Sequence, residues 1–430
     1  MKMKEYRKST EEMLSFIEKS PTAFHAVANI KADLEEHGFR ELKEAEKWEL
    51  EPGKGYFAVR NGSSIIAFLL PQERGEGFHI TAAHSDSPSF KIKESPEMRV
   101  EKAYLKLNTE KYGGMILASW LDRPLSVAGR IVVKGENGLE SRLVNVEKDL
   151  MVIPSVAIHM VRDAKKESEF NPQTDMLPLY ACCGDEGEKN VLMKRIAAEA
   201  GVAEEDILGH DLFLYPREKG RILGEEGEFV LSPRLDDLQC VYASVKAFLE
   251  TAPKRYINVC AVFDNEEVGS STKQGANSTL LEDVLWRIGE SLGYSRSEYL
   301  QLIAGSFLIS ADNAHAVHPN HPEKADPTNR PYLNRGIVIK FHGSQKYATD
   351  AVSAAEMKML CREAGVPCQT YANRSDIPGG STLGNISTSH VSLSTVDIGL
   401  PQLAMHSAME TAGIKDTEYA VAAFKTFFGK

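Results

Sequence analysis

Apolar runs that end abruptly in histidine or carboxylate recur along this chain of 430 residues and alternate with helix-like stretches. Residues 79–83 lead to His84, residues 256–263 lead to Asp264-Asn265-Glu266-Glu267, and Phe307-Leu308-Ile309-Ser310-Ala311 leads to Asp312. A strand that is apolar without alternation is buried on both faces, and such strands need helices on either side of their sheet. The expected core is therefore a three-layer αβα domain on a mixed, mostly parallel sheet. In sheets of this kind ligands bind at the carboxyl ends of the strands.

The punctuation supports this reading. Ser9-Thr10-Glu11-Glu12 has the spacing of a capping box and predicts a helix start, with Pro21 as its stop. Further helices are expected over residues 22–36, 236–250, 277–292, 350–364 and 417–428, and strands over 306–310 and 336–341. Residues 56–59 and 65–70 read as a hairpin across Asn61-Gly62. From about residue 94 to 229 the texture changes to short strands, at 127–134 and 142–146, with a turn signal at Glu136-Asn137-Gly138 between them. The chain is long enough for this second unit. The expectation is a catalytic domain in two parts, 1–93 and 231–430, interrupted by an inserted β-rich domain at 94–230.

A net charge of −11 argues against a nucleic-acid or anionic-membrane binder, both of which need a basic face. The longest apolar run, residues 65–70, is too short to span a bilayer, and the charged N-terminal stretch lacks the apolar segment of a signal peptide. Six cysteines without a CxxC spacing are too sparse for a disulfide framework, which suggests reduced, mostly core thiols in a cytoplasmic protein.

Chemistry concentrates at the ends of the apolar elements. In His84-Ser85-Asp86 the outer side chains leave a strand on the same side, so Asp86 can accept a hydrogen bond from the His84 ring, an arrangement that metal-bound histidines favour. Arg234-Leu235-Asp236-Asp237 opens a helix, where carboxylates also serve simply as caps. The adjacent glutamates 266 and 267 would repel one another at a sheet rim unless a cation offset them. The segment from Val396 to the Met405-His406-Ser407 stretch leads to a further histidine. Five segments thus each offer a ligand, and two histidines with three carboxylates suit a pair of zinc-type ions sharing one bridging carboxylate. Prolines 319 and 322 break any helix through His315, His318 and His321, so the last two read as loop-structural and His315 as facing the site. The absence of HExxH, GxSxG and a Walker-type loop removes zincins, serine hydrolases and P-loop enzymes.

Taken together these segments resemble the aspartyl aminopeptidase family of cocatalytic zinc metallopeptidases. The matching stretches, in the family's order, are Ser20-Pro21-Thr22-Ala23-Phe24-His25, His84-Ser85-Asp86-Ser87-Pro88, Ile153-Pro154-Ser155-Val156-Ala157-Ile158-His159, Ser232-Pro233-Arg234-Leu235-Asp236, residues 263–270, residues 310–320 and residues 401–410. The resemblance implies that one zinc is held by His84 and Asp312 and the other by Glu267 and His406, with Asp236 bridging and Glu266 as general base. It further implies that His159 reaches a substrate in a neighbouring subunit and that His315, Lys340 and Tyr347 line the substrate site. It also implies a tetrahedral homododecamer, in which the inserted domain makes subunit contacts.

Two divalent ions about 3.5–4 Å apart would bring the pKa of a shared water towards neutrality, whatever their identity among zinc, manganese and cobalt. Glu266 would take the proton and later return it to the leaving amine. The expected substrates are peptides with a free N-terminus, Lys340 pairing with an acidic first side chain. The alternatives are a neutral-residue aminopeptidase or a deacylase on the same scaffold.

Overall fold

The computed structural model describes residues 3–136, 138–160, 170–183 and 189–430, and the chain divides into two compact units. The first comprises residues 1–86, 220–405 and 410–430, and the second residues 87–219 and 406–409.

A nine-stranded sheet forms the spine of the first unit. In chain order its strands are β1 (Arg40–Glu41), β2 (Gly55–Arg60), β3 (Ser64–Leu69), β4 (Phe78–His84), β5 (Ile257–Phe263), β6 (Phe307–Ala311), β7 (Ile337–Phe341), β8 (Cys368–Ala372) and β9 (Ser394–Gly399). Across the sheet they lie β1-β2-β3-β5-β4-β6-β9-β7-β8. The pairs β5–β4, β4–β6 and β6–β9 are parallel, whereas β2–β3, β3–β5 and β9–β7 run antiparallel. The sheet is mixed and mostly parallel, as the unbroken apolar runs predict.

Helices cover both faces. On one side lie α1 (Met3–Lys19), α2 (Ala23–Glu36), α3 (Leu235–Leu249), α6 (Ala351–Ala364) and α8 (Asp416–Phe428), and on the other α4 (Leu280–Ser291), α5 (Arg296–Ala304) and α7 (Leu383–Thr388). Strand β5 shows why a continuous apolar run is needed. Cys260 and Val262 pack into the first layer while Ile257, Val259, Ala261 and Phe263 pack into the second, the period of two sending successive side chains to opposite faces. A smaller five-stranded sheet in the same unit includes Ala314–His315, Pro401–Leu403 and Glu410–Gly413.

The second unit is built on a six-stranded antiparallel sheet, with Leu125–Gly135 and Gly138–Asn145 paired as neighbours. Asn137, in the expected turn, lies outside the described residues. The unit also contains a helix, Val191–Ala200, whose Leu192 and Ile196 enter the core of that sheet.

Several expectations need correction. The first helix begins at Met3, so Ser9 and Thr10 are helical and buried instead of capping. Their hydroxyls find tertiary partners: Ser9 donates to Glu418, and Thr10 donates to the Ile414 carbonyl at 3.0 Å. Capping boxes form instead at α5, where the Ser295 side chain accepts from the Glu298 amide, and at α6, where the Asp350 side chain accepts from the Ser353 amide. Regular helix in α3 starts only after Asp236 and Asp237, whose backbones are non-helical. The anticipated domain boundaries at 93/94 and 230/231 fall inside the strands Ser89–Val100 and Phe229–Ser232, and the units divide at 86/87 and 219/220 instead. Of the six cysteines, all free, Cys240, Cys260 and Cys361 are buried, while Cys182 and Cys368 are exposed.

Candidate metal centre

The site in the first unit forms where β4, β5, β6 and the start of α3 deliver polar side chains at their ends. Strand β4 ends at His84, which is buried at 1% exposure. Its Nδ1 lies 3.0 Å from the Asp86 backbone carbonyl and 3.4 Å from the Asp86 Oδ1, so the main chain and the carboxylate both hold the ring. On the other side Nε2 lies 3.6 Å from the Asp236 Oδ1.

The Asp86 carboxylate has a further task that its position in the sequence does not reveal. Oδ1 accepts the Glu266 amide at 3.1 Å and Oδ2 the Glu267 amide at 3.2 Å. It thereby fixes the short 3₁₀ turn Glu266–Val268 that follows β5. Asn265 before this turn and Gly269 after it both have positive φ, which is how the chain presents two successive carboxylates at a strand end.

Asp236 sits at the mouth of α3, its amide donating to the buried Glu410 Oε2 at 3.0 Å. The Asp236–Asp237 peptide bond is cis. Asp237, fully buried, accepts the His84 amide at 3.2 Å through Oδ2. Asp312 follows β6, and its Oδ2 lies 3.7 Å from the Lys340 Nζ at the end of β7.

Two groups of ligand atoms result among the described residues. Atoms of His84, Asp236 and Glu267 lie within 4.8 Å of one another, as do those of Asp236, Asp237 and Asp312. Asp236 is common to both. This donor set, one imidazole with carboxylates crowded into a buried space, suits borderline to hard divalent ions such as zinc. Asp237 and Glu410 are site residues that the sequence reading passed over. In the sequence Asp237 carries no signal beyond that of a helix cap, and Glu410 none beyond its place in a matching stretch.

The electrostatics express the crowding. Burial pushes the Glu266 carboxyl well above the usual carboxylate range, with Asp312, Glu267 and Asp86 adding to the rise and His84 opposing it. Burial likewise raises Asp237 and Asp312, the latter offset in part by Lys340. Burial works to lower the His84 pKa, but its contacts with Asp236 and Asp86 carry it well above 6.5. Carboxylates confined in this way are stabilised by any cation placed among them.

The expected substrate-side residues are distributed less simply. Lys340 and Tyr347 are both buried, with the ammonium 5.6 Å from the Tyr347 ring centroid. His315 is exposed and meets Tyr371 edge-on at 6.1 Å, and Tyr371 in turn packs with Tyr347. With His318, His321, Lys324 and Gln402, His315 lines an open recess of about 300 Å³. His318 accepts the Asn320 amide at 3.2 Å and His321 lies 3.2 Å from Glu323, as befits loop residues. His406 and His159 belong to the second unit. There the His406 carbonyl accepts the Ile116 amide at 3.0 Å, and His159 is exposed on the short turn Ile158–Met160.

Comparisons with known proteins show the family. Residues 16–428 match the family model described as the aminopeptidase I zinc metalloprotease family, M18. A probable M18 family aminopeptidase 2 of Clostridium novyi is 51% identical over 431 residues, covering 99% of this chain and all of the relative. Among solved structures, Ape4 in its complex with Nbr1 superposes with a TM-score of 0.95 at 37% identity, over 99% of this chain and 86% of that one. The mApe1 dodecamer of S. cerevisiae superposes with a TM-score of 0.87 at 28% identity, over 99% and 97% of the two chains. No helix among the described residues is long and apolar enough to cross a membrane. Matched over nearly its whole length, the chain belongs to the M18 family of zinc metallo-aminopeptidases.

Proposed function

We propose that this protein releases N-terminal residues, preferentially aspartate and glutamate, from peptides at a dinuclear centre held by His84, Asp236, Glu267 and Asp312. The roles of His406 as a further ligand and of His159 in a neighbouring subunit are carried by the family resemblance alone. Zinc is the ion named for the family, and manganese or cobalt accept the same ligands. When bound, such ions supply Lewis acidity towards the scissile carbonyl and lower the pKa of water.

The observation that carries this reading is the placement of Glu266. Its neighbour Glu267 is grouped with His84 and Asp236, while Glu266 itself enters neither ligand group and has its amide fixed by Asp86. A carboxylate held beside a cation site but outside its ligand groups is suited to take a proton from the attacking water at one Oε and return it to the leaving amine. Lys340, whose charge is kept by Asp312, Tyr347, Asp397 and Asp236 despite its burial, supports the acidic preference, because an ammonium in a desolvated wall attracts a carboxylate. The 3.7 Å approach of Lys340 to Asp312 favours a second reading, in which the ammonium serves the site's own carboxylates and the enzyme prefers neutral residues. A homododecamer is proposed on the strength of the S. cerevisiae mApe1 dodecamer, and its tetrahedral arrangement with subunit contacts through the second unit on the family resemblance alone.

Hydrolysis of peptides beginning with Asp, Glu, Leu and Lys, with N-acetyl-Asp as control, tests the proposal in the presence and absence of a chelator. The expected result is chelator-sensitive release of Asp and Glu and none from the acetylated control. Release of Leu alone would discard the acidic preference, and cleavage of the acetylated substrate would indicate a deacylase.

A further inference from the structure

Behind Lys340 stands a carboxylate that the mechanism does not use. Asp397, in β9, is fully buried. Strand β9 pairs in parallel with β6, Asp397 opposite Ser310, and antiparallel with β7, Ile398 opposite Ile339. The next step of that antiparallel register sets Asp397 across from Lys340. Alternation places both on one face, because their neighbours Ile339, Val396 and Ile398 all point into the opposite layer. Asp397 also acts electrostatically on Lys340, as does Asp312.

The hydrogen bonds of Asp397 reach two loops. Its Oδ1 accepts the Thr382 hydroxyl at 2.6 Å, from the residue preceding α7, and its Oδ2 accepts the Ala348 amide at 2.5 Å, next to Tyr347. Its own amide donates to the Thr349 hydroxyl oxygen at 2.8 Å. The cradle is tight, since a Cβ at Gly384 would lie 2.4 Å from Oδ1 and 2.5 Å from Oδ2. The same two loops are joined further out, where Lys346 donates to the carbonyls of Pro378 and Gly379 at 3.0 and 2.9 Å.

We infer that Asp397 is a positioning residue that sets selectivity for the first residue of the substrate, by holding the Lys340 ammonium from behind and fixing the loop that carries Tyr347. This deepens the proposed function and rests on Lys340 and Tyr347 forming the wall that the first side chain meets. Asp397 touches no reacting atom in this scheme. Removing it leaves the Lys340 charge to Asp312, at 3.7 Å, and Asp236, both of the metal site, so the ammonium shifts towards those residues and away from the substrate. A buried charge that loses a nearby countercharge relocates or repacks, because the desolvated interior offers it no water.

The test measures kcat and KM for Asp- and Leu-initiated peptides in the metal-loaded wild type, Asp397→Asn and Thr382→Val, with metal content determined for each. In Asp397→Asn the Asp-over-Leu ratio of kcat/KM is expected to change by about tenfold or more, chiefly through KM, at unchanged metal content. Thr382→Val, which removes one hydroxyl from the cradle, is expected to move the ratio in the same direction by about threefold. Equal losses on both substrates, or ratios within twofold of wild type in both variants, would overturn the inference. If Asp397→Asn fails to fold, Thr382→Val decides by the same criterion. A wild type that prefers Leu would sink the acidic preference of the proposed function, whereas the Asp397 inference stands or falls on whether the ratio moves.

Discussion

Asp86 and Glu266 are joined through the main chain: the Asp86 Oδ1 accepts the Glu266 amide at 3.1 Å while Oδ2 takes the following amide at 3.2 Å. One buried carboxylate therefore aims the proposed base and its neighbouring ligand together, while also sitting against the His84 ring. Asp86→Ala should lower kcat/KM by about 10² and weaken metal retention by about 10- to 100-fold, because second-layer partners of metal ligands typically contribute that much. Metal titration alongside steady-state kinetics checks this, and retention of full metal affinity with full activity would refute the role.

Glu266→Gln keeps the size and the amide contact of Glu266 but removes its ability to take a proton. The expected outcome is a loss of about 10²–10⁴ in kcat with metal content and thermal midpoint within error of wild type. Near wild-type turnover would exclude Glu266 as the base.

Lys340→Ala separates the two readings of specificity. If the ammonium reads an acidic first residue, kcat/KM falls by about 10²-fold or more for Asp and Glu substrates and far less for Leu, since a lost charge-assisted contact leaves the substrate carboxylate buried and unpaired. Parallel losses on all substrates, together with reduced metal content, would show that Lys340 serves Asp312 instead.

A pH effect on stability is expected away from the site. His79 is stacked between Tyr256 and Phe427, with ring centroids 3.7 and 4.2 Å away, and its Nδ1 lies 2.9 Å from the Phe427 carbonyl. Burial lowers its pKa from 6.5 to about 4, the Phe427 carbonyl opposing the shift and the positive charges of Lys430 and Arg255 adding to it. The unfolded chain therefore takes up the proton first as the solution is acidified. This contribution to stability is intact above pH 6.5 and is lost as pH falls towards 4, by up to about 3 kcal/mol. Urea midpoints measured across this window should fall more steeply for wild type than for His79→Phe, and identical slopes would refute the assignment.

The elements that were legible in the sequence are those whose signal is local. Strand β5 is an unbroken apolar run followed by Asp264-Asn265-Glu266-Glu267, so both its double burial and its functional end can be read without knowing its neighbours. Strand β6 with Asp312, and α6 with Asp350 at its N-cap, are legible for the same reason. Ser9-Thr10-Glu11-Glu12 misleads because the signal for a cap is only a hydroxyl with a glutamate three residues on. In the folded chain those hydroxyls are taken by Glu418 and Ile414, more than 400 residues away.

What the sequence determined by itself was the class of the fold and the residue types at the strand ends, because periodicity and composition act over a few residues at a time. What only the tertiary structure decided was which of these groups meet. Asp236 joins His84 and Glu267 in one group and Asp237 and Asp312 in another, and Asp397 comes to stand across from Lys340. Those contacts depend on the order in which strands lie side by side, β5 between β3 and β4 and β9 between β6 and β7. Strand order is set by the packing of whole layers, which no short stretch of sequence encodes.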